Sequence, residues 1–290
     1  MDDLGRYGLW APGRIWPDGA EDVAAVAREI EGLGFGAFWV GGSPGDDLGI
    51  VDAILGATST LVVGTSIVDI WTSNGERLAA SHQRIRDAFP GRFYLGLGSG
   101  HAVTAEGLGQ AYTRPLSRLK ELLNGALAGV PADERMIAAL GPRTLQAAGE
   151  LTAGALPYLM PPAHTAEARR ILGDGPLLVP EQKVFLGTDP GVARRAGRRA
   201  LKPYLALPNY TRQLATFGLD EADLAGDGSD RFIDSAVVWG DDAAVRAGID
   251  AHLDAGADHV AIQVLTEAGS PRELPLAEWR RLAALLGLRS

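Results

Sequence analysis

The sequence predicts an α/β fold, a parallel (β/α)8 barrel with an insertion before the last βα unit. Short apolar runs alternate with amphipathic helical patterns along the whole chain, which is typical of parallel βα units. Eight such runs occur, the number of strands in a barrel of this type. The length of 290 residues suffices for a barrel of about 250 residues and an insertion. We therefore expect one domain over residues 1–290, with the insertion at about 201–239.

The eight predicted strands are apolar runs separated by helical patterns. They cover residues 7–11, 37–40, 61–70, 93–97, 135–140, 153–159, 177–185 and 259–265. The first helical pattern, residues 20–33, ends at Gly34, a residue that favours helix C-termini. Asp189 and Pro190 predict the N-cap and first turn of another helix. Residues 201–239 interrupt the alternation, and we interpret them as the insertion.

An open, doubly wound sheet is the main alternative fold. Such a sheet normally carries a GxGxxG turn at its first βα junction, whereas residues 10–13 here read WAPG. The barrel is therefore favoured. Its active site is expected at the C-terminal ends of the strands.

The composition excludes several classes of function. A net charge of −9 and a pI near 5.1 argue against non-specific nucleic-acid binding. The absence of cysteine excludes thiolate nucleophiles, cysteine metal sites and disulfides. We find no signal segment and no apolar run of the roughly 20 residues that a membrane span needs. We expect a soluble cytoplasmic protein that acts on a small molecule and has no nucleic-acid or membrane partner.

The predicted strand ends carry small residues and few strong acids or bases. The five histidines show no metal-binding spacing, so no metal site is predicted. Ser99 lies between two glycines, but the GxSxG pattern of a nucleophilic serine is absent. These observations favour a large planar cofactor that brings its own reactivity, with the protein supplying shape and backbone hydrogen bonds.

Several motifs resemble the luciferase-like monooxygenase family, and most closely its branch that uses the deazaflavin coenzyme F420. They are Trp39-Val40, GTSIV at 64–68, PGRFYLGLGSG at 90–100, AALGP at 138–142, PYLMPP at 157–162 and AGADHVAIQ at 255–263. The resemblance implies a TIM barrel of the bacterial luciferase type with a late insertion. It also implies an F420-dependent oxidoreductase that transfers a hydride between the deazaflavin C5 and a small organic substrate, and a homodimer.

The resemblance further implies which residues hold the cofactor. A non-prolyl cis peptide at Ser66–Ile67 would press against the face of the ring, and residues 99 and 100 would contact the ring and the ribityl chain. Backbone amides at residues 140–142 would hold the phosphate, which agrees with the free donors and positive dipole of a helix N-terminus. The predicted cofactor-binding residues are Ser43, Ser66, Ile67, Ser99, Gly100, Leu140, Gly141 and Pro142.

The proton-handling residues differ from those of the best-understood relatives. Sugar-phosphate dehydrogenases of this family place a histidine after strand two and a glutamate after strand four, where this chain has Ser43 and His101. We predict His101 as the catalytic acid or base, because imidazole titrates near neutral pH. Asp69, Trp71 and His164 are predicted to face the substrate. The histidines at 82, 252 and 259 are interpreted as structural.

Two other functions remain open. One is an FMN-dependent monooxygenase of the luciferase type, which uses reduced flavin and oxygen. The other is a barrel that binds a flavin or deazaflavin without catalysis, as the few acid–base groups at the strand ends allow. F420 and FMN share a tricyclic ring and a phosphate, so the sequence separates them poorly.

Overall fold

A computed structural model describes residues 4–288 as parallel strands surrounded by helices. Every pairing between named strands is parallel. The strands are β1 Tyr7–Pro12, β2 Ala37–Gly41, β3 Val62–Thr65, β4 Val68–Asp69, β5 Phe93–Gly98, β6 Arg135–Ile137, β7 Gly154–Ala155, β8 Leu177–Leu178, β9 Glu181–Phe185, β10 Val237–Trp239 and β11 Val260–Leu265.

The sheet curls back on itself. Its order runs β10-β9-β11-β1-β2-β3-β5-β6-β7-β8, with β4 also paired to β5. Strands β8 and β9 are separated only by Val179 and Pro180 and form the two ends of one extended segment. The N–H of Val179 bonds to β7 (Ala155 O, 3.0 Å), and the carbonyl of Pro180 accepts from β11 (Ala261 N, 3.0 Å). With β3–β4 and β8–β9 each counted as one strand, eight strands form the predicted ring and β10 is additional.

Helices follow the strands and cover the outside of the sheet. They are α1 Ala20–Gly32, α2 Gly49–Ala57, α3 Gly75–Ala88, α4 Ala102–Gly107, α5 Pro115–Asn124, α6 Pro142–Leu151, α7 Pro162–Leu172, α8 Pro190–Leu205, α9 Pro208–Thr216, α10 Glu221–Leu224, α11 Asp230–Ala236, α12 Asp242–Asp254 and α13 Leu276–Leu286. The side chain of Asp189 accepts from the N–H of Val192, which confirms the predicted N-cap of α8.

Alternation along the strands separates two apolar cores. Trp39 and Tyr94 belong to one cluster of buried residues, whereas their chain neighbours Phe38 and Leu95 belong to another that includes helix residues such as Trp279. Successive side chains of a strand point to opposite faces, so the first cluster fills the ring and the second joins the ring to its helices. The strands therefore form a fixed base for the loops at their C-terminal ends.

Three parts of the chain differ from the predicted elements. The third predicted strand is interrupted between β3 and β4, where the Ser66–Ile67 bond is cis, as the resemblance implied. Between the fourth and fifth predicted strands the structure has two helices, α4 and α5, where simple alternation predicts one. Strand β10 lies inside the predicted insertion and pairs with β9. Its three residues are too few for a periodic pattern.

Candidate functional site

Two adjoining cavities lie at the C-terminal ends of the strands, where a barrel of this type places its active site. Their volumes are about 300 and 350 Å³. The residues that line both cavities are Ile67, Gly100, His101, Ala138, Leu156, Tyr158 and Tyr210. We name the cavity that also contains Trp10 and Gln263 the first, and the one that contains Leu140 and Gly141 the second.

One side of this site, the glycine side, consists of residues 66–67 and 98–100. A Cβ on Gly98 would lie 2.6 Å from Ile67 Cγ1, and one on Gly100 would collide with the carboxylate of Asp69. Gly100 also has a φ of +55°, a conformation that side chains other than glycine disfavour. Glycine is therefore favoured at both positions, and a ligand on this side meets backbone and small side chains.

Thr65 joins the third and fourth strands of the ring where the third is interrupted. Its hydroxyl donates to the carbonyl of Gly96 and accepts from the N–H of the same residue, both at 2.8 Å. The carbonyl of Ser66 accepts from Trp10 Nε1 at 3.2 Å, and its N–H donates to Val40 O at 2.8 Å. These bonds hold Ser66 and Ile67 in the wall of the first cavity.

Ser43 and Asp69 form the rim of the first cavity beside the glycine side. The hydroxyl of Ser43 accepts from the N–H of Asp69 at 2.9 Å, and the carboxylate of Asp69 accepts from the N–H of Trp71 at 2.9 Å. Burial raises the pKa of the Asp69 carboxyl, against the opposing effects of the Trp71 hydrogen bond and of His101. Asp69 thus lines a cavity that a substrate could enter, and its contact with the substrate stays a prediction.

The structure corrects the prediction for Trp71. This side chain is buried and lies outside the lining of both cavities. Its indole N–H donates to the carbonyl of Ser99 at 2.8 Å, and Arg118 lies 4.3 Å from its ring centroid. Trp71 therefore holds the backbone of Ser99, which lines the second cavity.

His101 lies at the junction of the two cavities and immediately precedes α4. Its Nδ1 atom is buried and has no hydrogen-bond partner among the described residues. Burial lowers the pKa of this histidine, and the nearby Asp69 opposes the shift. The imidazole is thus mostly neutral at pH 7 and can accept a proton from a ligand or return one.

Helix α6 begins beside the second cavity, which Leu140 and Gly141 line. Pro142, the first residue of this helix, lies outside the lining and has no N–H to donate, which corrects the prediction that its amide contributes. The N–H of Thr144 is used within the helix, bonding Gly141 O at 3.0 Å. Arg212 of α9 also lines this cavity and supplies a positive charge that the sequence analysis missed.

His164 lies away from both cavities, and this placement corrects the prediction that it faces the substrate. It is the third residue of α7 and is 1% exposed. Its Nε2 lies 2.8 Å from the carbonyl of Leu140, and its ring packs against Phe217 at 5.3 Å between centroids. The contacts of His164 are structural, and its bond to Leu140 fixes the chain that enters the second cavity.

The opposite side of the first cavity, the tyrosine side, consists of Tyr158, Tyr204, Tyr210 and Gln263. The hydroxyl of Tyr158 donates to Gln263 Oε1 at 3.0 Å and lies 2.9 Å from the hydroxyl of Tyr204. The ring of Tyr210 lies between this group and the site's histidine, 5.2 Å from Tyr204 and 5.8 Å from His101. Sequence patterns did not indicate any of these four residues, although Tyr158 lies within the PYLMPP motif.

A buried ion pair lies beside the tyrosine side. Lys183 and Glu181 are both on β9, with side chains 1% and 2% exposed, and Nζ lies 3.0 Å from each carboxylate oxygen. Nζ is also 3.9 Å from the ring centroid of Tyr158. Burial raises the pKa of Glu181 and lowers that of Lys183, while each partner opposes the other's shift. The pair places no net charge beside the cavity.

The sequence of the first half of the chain matches a known family. Residues 6–127 match the family model of the luciferase-like monooxygenases. The resemblance to that family is confirmed. The chain is also 28% identical over 159 residues to a 5,10-methylenetetrahydromethanopterin reductase from Methanolobus tindarius. That match covers 46% of this chain and 49% of the other, so the chain spans about half the length of this curated relative.

Solved structures show the luciferase-like fold over nearly the whole chain. An F420-dependent secondary alcohol dehydrogenase in complex with an F420–acetone adduct has a TM-score of 0.67 at 16% identity, covering 99% of both chains. The coenzyme F420-dependent tetrahydromethanopterin reductase from Methanopyrus kandleri has a TM-score of 0.71 at 16% identity, covering 97% of both. The oxygenating constituent of 3,6-diketocamphane monooxygenase from Pseudomonas putida, in complex with FMN, has a TM-score of 0.68 at 14% identity, covering 97% and 96%.

The residues of the two cavities fit a planar cofactor with an anionic tail. The glycine side lines the cavities with two glycines, two serines and one isoleucine, so a ring could lie flat against backbone and small side chains. The second cavity leads to the start of α6 and to Arg212, where an anion would be favoured. Residues 4–288 contain no cluster of histidine and acidic side chains arranged to hold a metal ion. Within the same residues, no helix is long and apolar enough to cross a membrane.

Proposed function

We propose that the protein is an F420-dependent oxidoreductase that transfers a hydride between the deazaflavin C5 and a small organic substrate. Structurally similar proteins support this proposal, because two of the solved structures with the same fold are F420-dependent enzymes. Bound F420 would supply the hydride chemistry, for which the described side chains offer no substitute. The protein would supply binding, orientation and a proton.

The observation that carries the proposal is the position of His101. This histidine and Ile67 line both cavities, so an extended planar ligand that occupies the two cavities must pass them. His101 is the one histidine in either lining, and its Nδ1 has no partner among the described residues. An imidazole that lines both cavities is placed to exchange a proton with a substrate bound there.

Each group of the site has a role in this proposal. Ser66, Ile67 and Gly100 form the face on which the ring lies, and Ser43 contributes to the rim. Trp71 holds the carbonyl of Ser99 in place without touching the ligand. The phosphate-bearing tail enters the second cavity, where Leu140, Gly141 and Arg212 receive it.

An FMN-dependent monooxygenase is the second candidate, and one specific likeness favours it. The monooxygenase from Pseudomonas putida binds FMN in a barrel whose TM-score with this chain is 0.68. Fluorescence titration of the purified protein with F420 and with FMN separates the two candidates. We expect saturable binding of F420 and weaker binding of FMN. Tight FMN binding without F420 binding would contradict the proposal.

The variant His101→Ala tests catalysis apart from binding. We expect it to bind F420 as the wild type does but to lose about 100-fold or more of its turnover, the usual contribution of a general acid or base. The control His82→Gln alters a buried histidine of helix α3 that lies outside both cavities and is expected to keep turnover. Intact turnover in His101→Ala would remove this residue from the mechanism. Absence of wild-type turnover across ketones, aldehydes and alcohols would support a barrel that only binds its cofactor.

A further inference from the structure

The tyrosine side holds a hydrogen-bonded chain that the proposed cofactor contacts do not use. It links Tyr204 from α8, Tyr158 from the loop after β7, and Gln263 from β11, at 2.9 and 3.0 Å. All three residues line the first cavity. Three separate elements therefore bring polar atoms to one wall.

The wall that holds Gln263 faces the fourth strand of the ring. Around the eight-stranded ring, β11 is the eighth strand and β5, which leads to His101, is the fourth. Strands four and eight of a ring of eight are opposite one another. A ligand in the first cavity would therefore have His101 on one side and Gln263 on the other.

The linked polar groups of the tyrosine side are neutral, and because Tyr158 donates to Gln263, the contact between the two hydroxyls is donated by Tyr204. Burial raises the pKa of both Tyr158 and Tyr204, so their hydroxyls stay protonated across the physiological range. Because Tyr158 donates to Oε1 of Gln263, the NH₂ group of that amide is directed elsewhere. The amide orientation is assigned from this hydrogen bond. Gln263 is only 4% exposed, so an unsatisfied donor there would be costly and a ligand acceptor would be favoured.

The ring of Tyr158 is held in place from behind. Lys183 Nζ lies 3.9 Å from its centroid, and the charge of Lys183 is balanced by Glu181 at 3.0 Å. A cation over an aromatic face is attracted to it, and a desolvated one is attracted more strongly. Lys183 is thus a positioning residue: it fixes the ring whose hydroxyl meets Gln263, and it lies outside the lining of the cavity.

We propose that the amide NH₂ of Gln263, oriented by the hydrogen bond from Tyr158, binds the oxygen atom of a neutral carbonyl or alcohol substrate, whose apolar part packs against Trp10 and Leu156. The inference rests on the proposed function and names the substrate class of the same site. Among the described residues that line the first cavity, the one permanent cation is Arg14, which is exposed. A phosphate or carboxylate on the substrate would therefore have no buried cation to pair with.

The reaction of such a substrate balances with F420 as the second reactant. In the direction of reduction, the carbonyl carbon gains a hydride and forms a C–H bond, and the electron pair of the C=O π bond moves to oxygen. The oxygen then takes one proton, which matches the proton that F420H₂ releases besides its hydride. The imidazole of His101 would take up the released proton, and water in the cavity would carry it to the oxygen. The ketone is reduced to an alcohol and F420H₂ is oxidised to F420. In the reverse direction the alcohol is oxidised to the ketone and F420 is reduced to F420H₂.

The test uses the full chain loaded with F420 and three neutral probes, acetone, cyclohexanone and acetophenone, with cyclohexanecarboxylate as the charged comparison. Binding is measured by ligand-detected NMR, and KM and kcat by the change in F420 absorbance. We expect at least one neutral probe to bind, and the carboxylate to bind at least about tenfold more weakly. Tyr158→Phe keeps the ring over Lys183 and removes the hydroxyl. It is expected to weaken binding and raise KM about 5- to 10-fold, with a smaller change in kcat.

A matched variant controls for the loss of a buried tyrosine hydroxyl. Tyr94 is buried in the ring and lies outside both cavities, so Tyr94→Phe should leave probe binding and KM unchanged. Gln263→Leu removes the amide independently and should act as Tyr158→Phe does. The inference is overturned if Tyr158→Phe and Tyr94→Phe have the same probe affinity and KM. It is also overturned if the carboxylate binds as tightly as the neutral probes, or if no neutral probe binds. An F420 titration of the same preparation is done first: no F420 binding defeats the proposed function, whereas F420 binding with any of those results defeats this inference alone.

Discussion

The two sides of the site are built by different means. The glycine side offers backbone atoms and small side chains, and its positions are set by what cannot fit, as at Gly98 and Gly100. The tyrosine side offers hydroxyls and an amide, fixed by hydrogen bonds and by the buried Lys183–Glu181 pair. The first side is suited to recognise a flat shape, and the second to recognise a particular polar atom. A shared barrel can thus keep one side for its cofactor and vary the other for its substrate.

The largest expected effect concerns the ion pair beside the tyrosine side. Lys183→Met leaves the Glu181 carboxylate buried without its cation, and breaking such a pair typically costs about 3–5 kcal/mol. We expect a loss of that size in the free energy of unfolding, measured by urea denaturation at pH 7. A measured loss of this size would show that the tyrosine side depends on a buried ion pair, whereas the glycine side has none.

Lys202→Met is the matched control for this prediction. Lys202 pairs with Asp227 at 2.7 Å, but the two side chains are 66% and 59% exposed. An exposed pair contributes at most about 1 kcal/mol, so this variant should lose little stability. Equal losses in the two lysine variants would show that the burial of Lys183–Glu181 does not determine its contribution.

The next largest expected effect is a pH dependence of the free energy of unfolding, caused by His252 of helix α12. His252 is fully buried between Thr165 Oγ1 and Gln182 Oε1, each at 2.8 Å, and burial with the nearby His164 lowers its pKa to about 4. The unfolded chain, with a histidine pKa near 6.5, binds this proton first, so stability falls as the pH is lowered from about 6.5 towards 4.

The variant His252→Gln isolates this contribution. Between pH 7 and pH 5 we expect the wild type to lose about 2 kcal/mol through this residue, and the variant to lack that part of the change. Urea denaturation at the two pH values gives the difference. Identical pH dependence in the two proteins would mean that His252 is not held in its neutral form.

The smallest effect tests the glycine side through Gly100. In Gly100→Ala the new methyl group would collide with Asp69, whereas at Gly109, which also has a positive φ, a Cβ would meet nothing within 4 Å. Both variants place an alanine at a positive φ, which costs about 1–2 kcal/mol. We expect Gly100→Ala to lose about 1 kcal/mol more than Gly109→Ala and to bind F420 more weakly. Two variants with the same stability and the same F420 affinity would contradict the crowding at Gly100.

The sequence predicted the glycine side better than the tyrosine side for a physical reason. Eight apolar runs indicate the strands directly, and glycines at strand ends indicate close approach of backbone. The resemblance to a known family then implied that Ser66, Ile67, Ser99 and Gly100 contact one cofactor. The tyrosine side joins residues far apart in the chain, such as Tyr158 and Gln263, which are 105 residues apart. Nothing in the local pattern around either residue indicates this hydrogen bond.

The two residues wrongly predicted to face the substrate illustrate the same limit. Trp71 and His164 follow strand ends, where functional residues are expected, but the directions of their side chains depend on tertiary contacts. Trp71 turns to the carbonyl of Ser99, and His164 lies within α7 and bonds to Leu140. Position along the chain therefore indicated the correct end of the barrel without indicating which side chains enter the cavities.

The most direct test of the central claim is a crystal structure of the protein in complex with F420. We predict that the deazaflavin ring lies against Ser66 and Ile67 with His101 beside it, and that the phosphate lies near Gly141 and Arg212. The tyrosine side should remain open to the substrate, with the Tyr158–Gln263 hydrogen bond intact. A ring bound away from residues 66 and 67, or a phosphate bound away from the start of α6, would contradict the account.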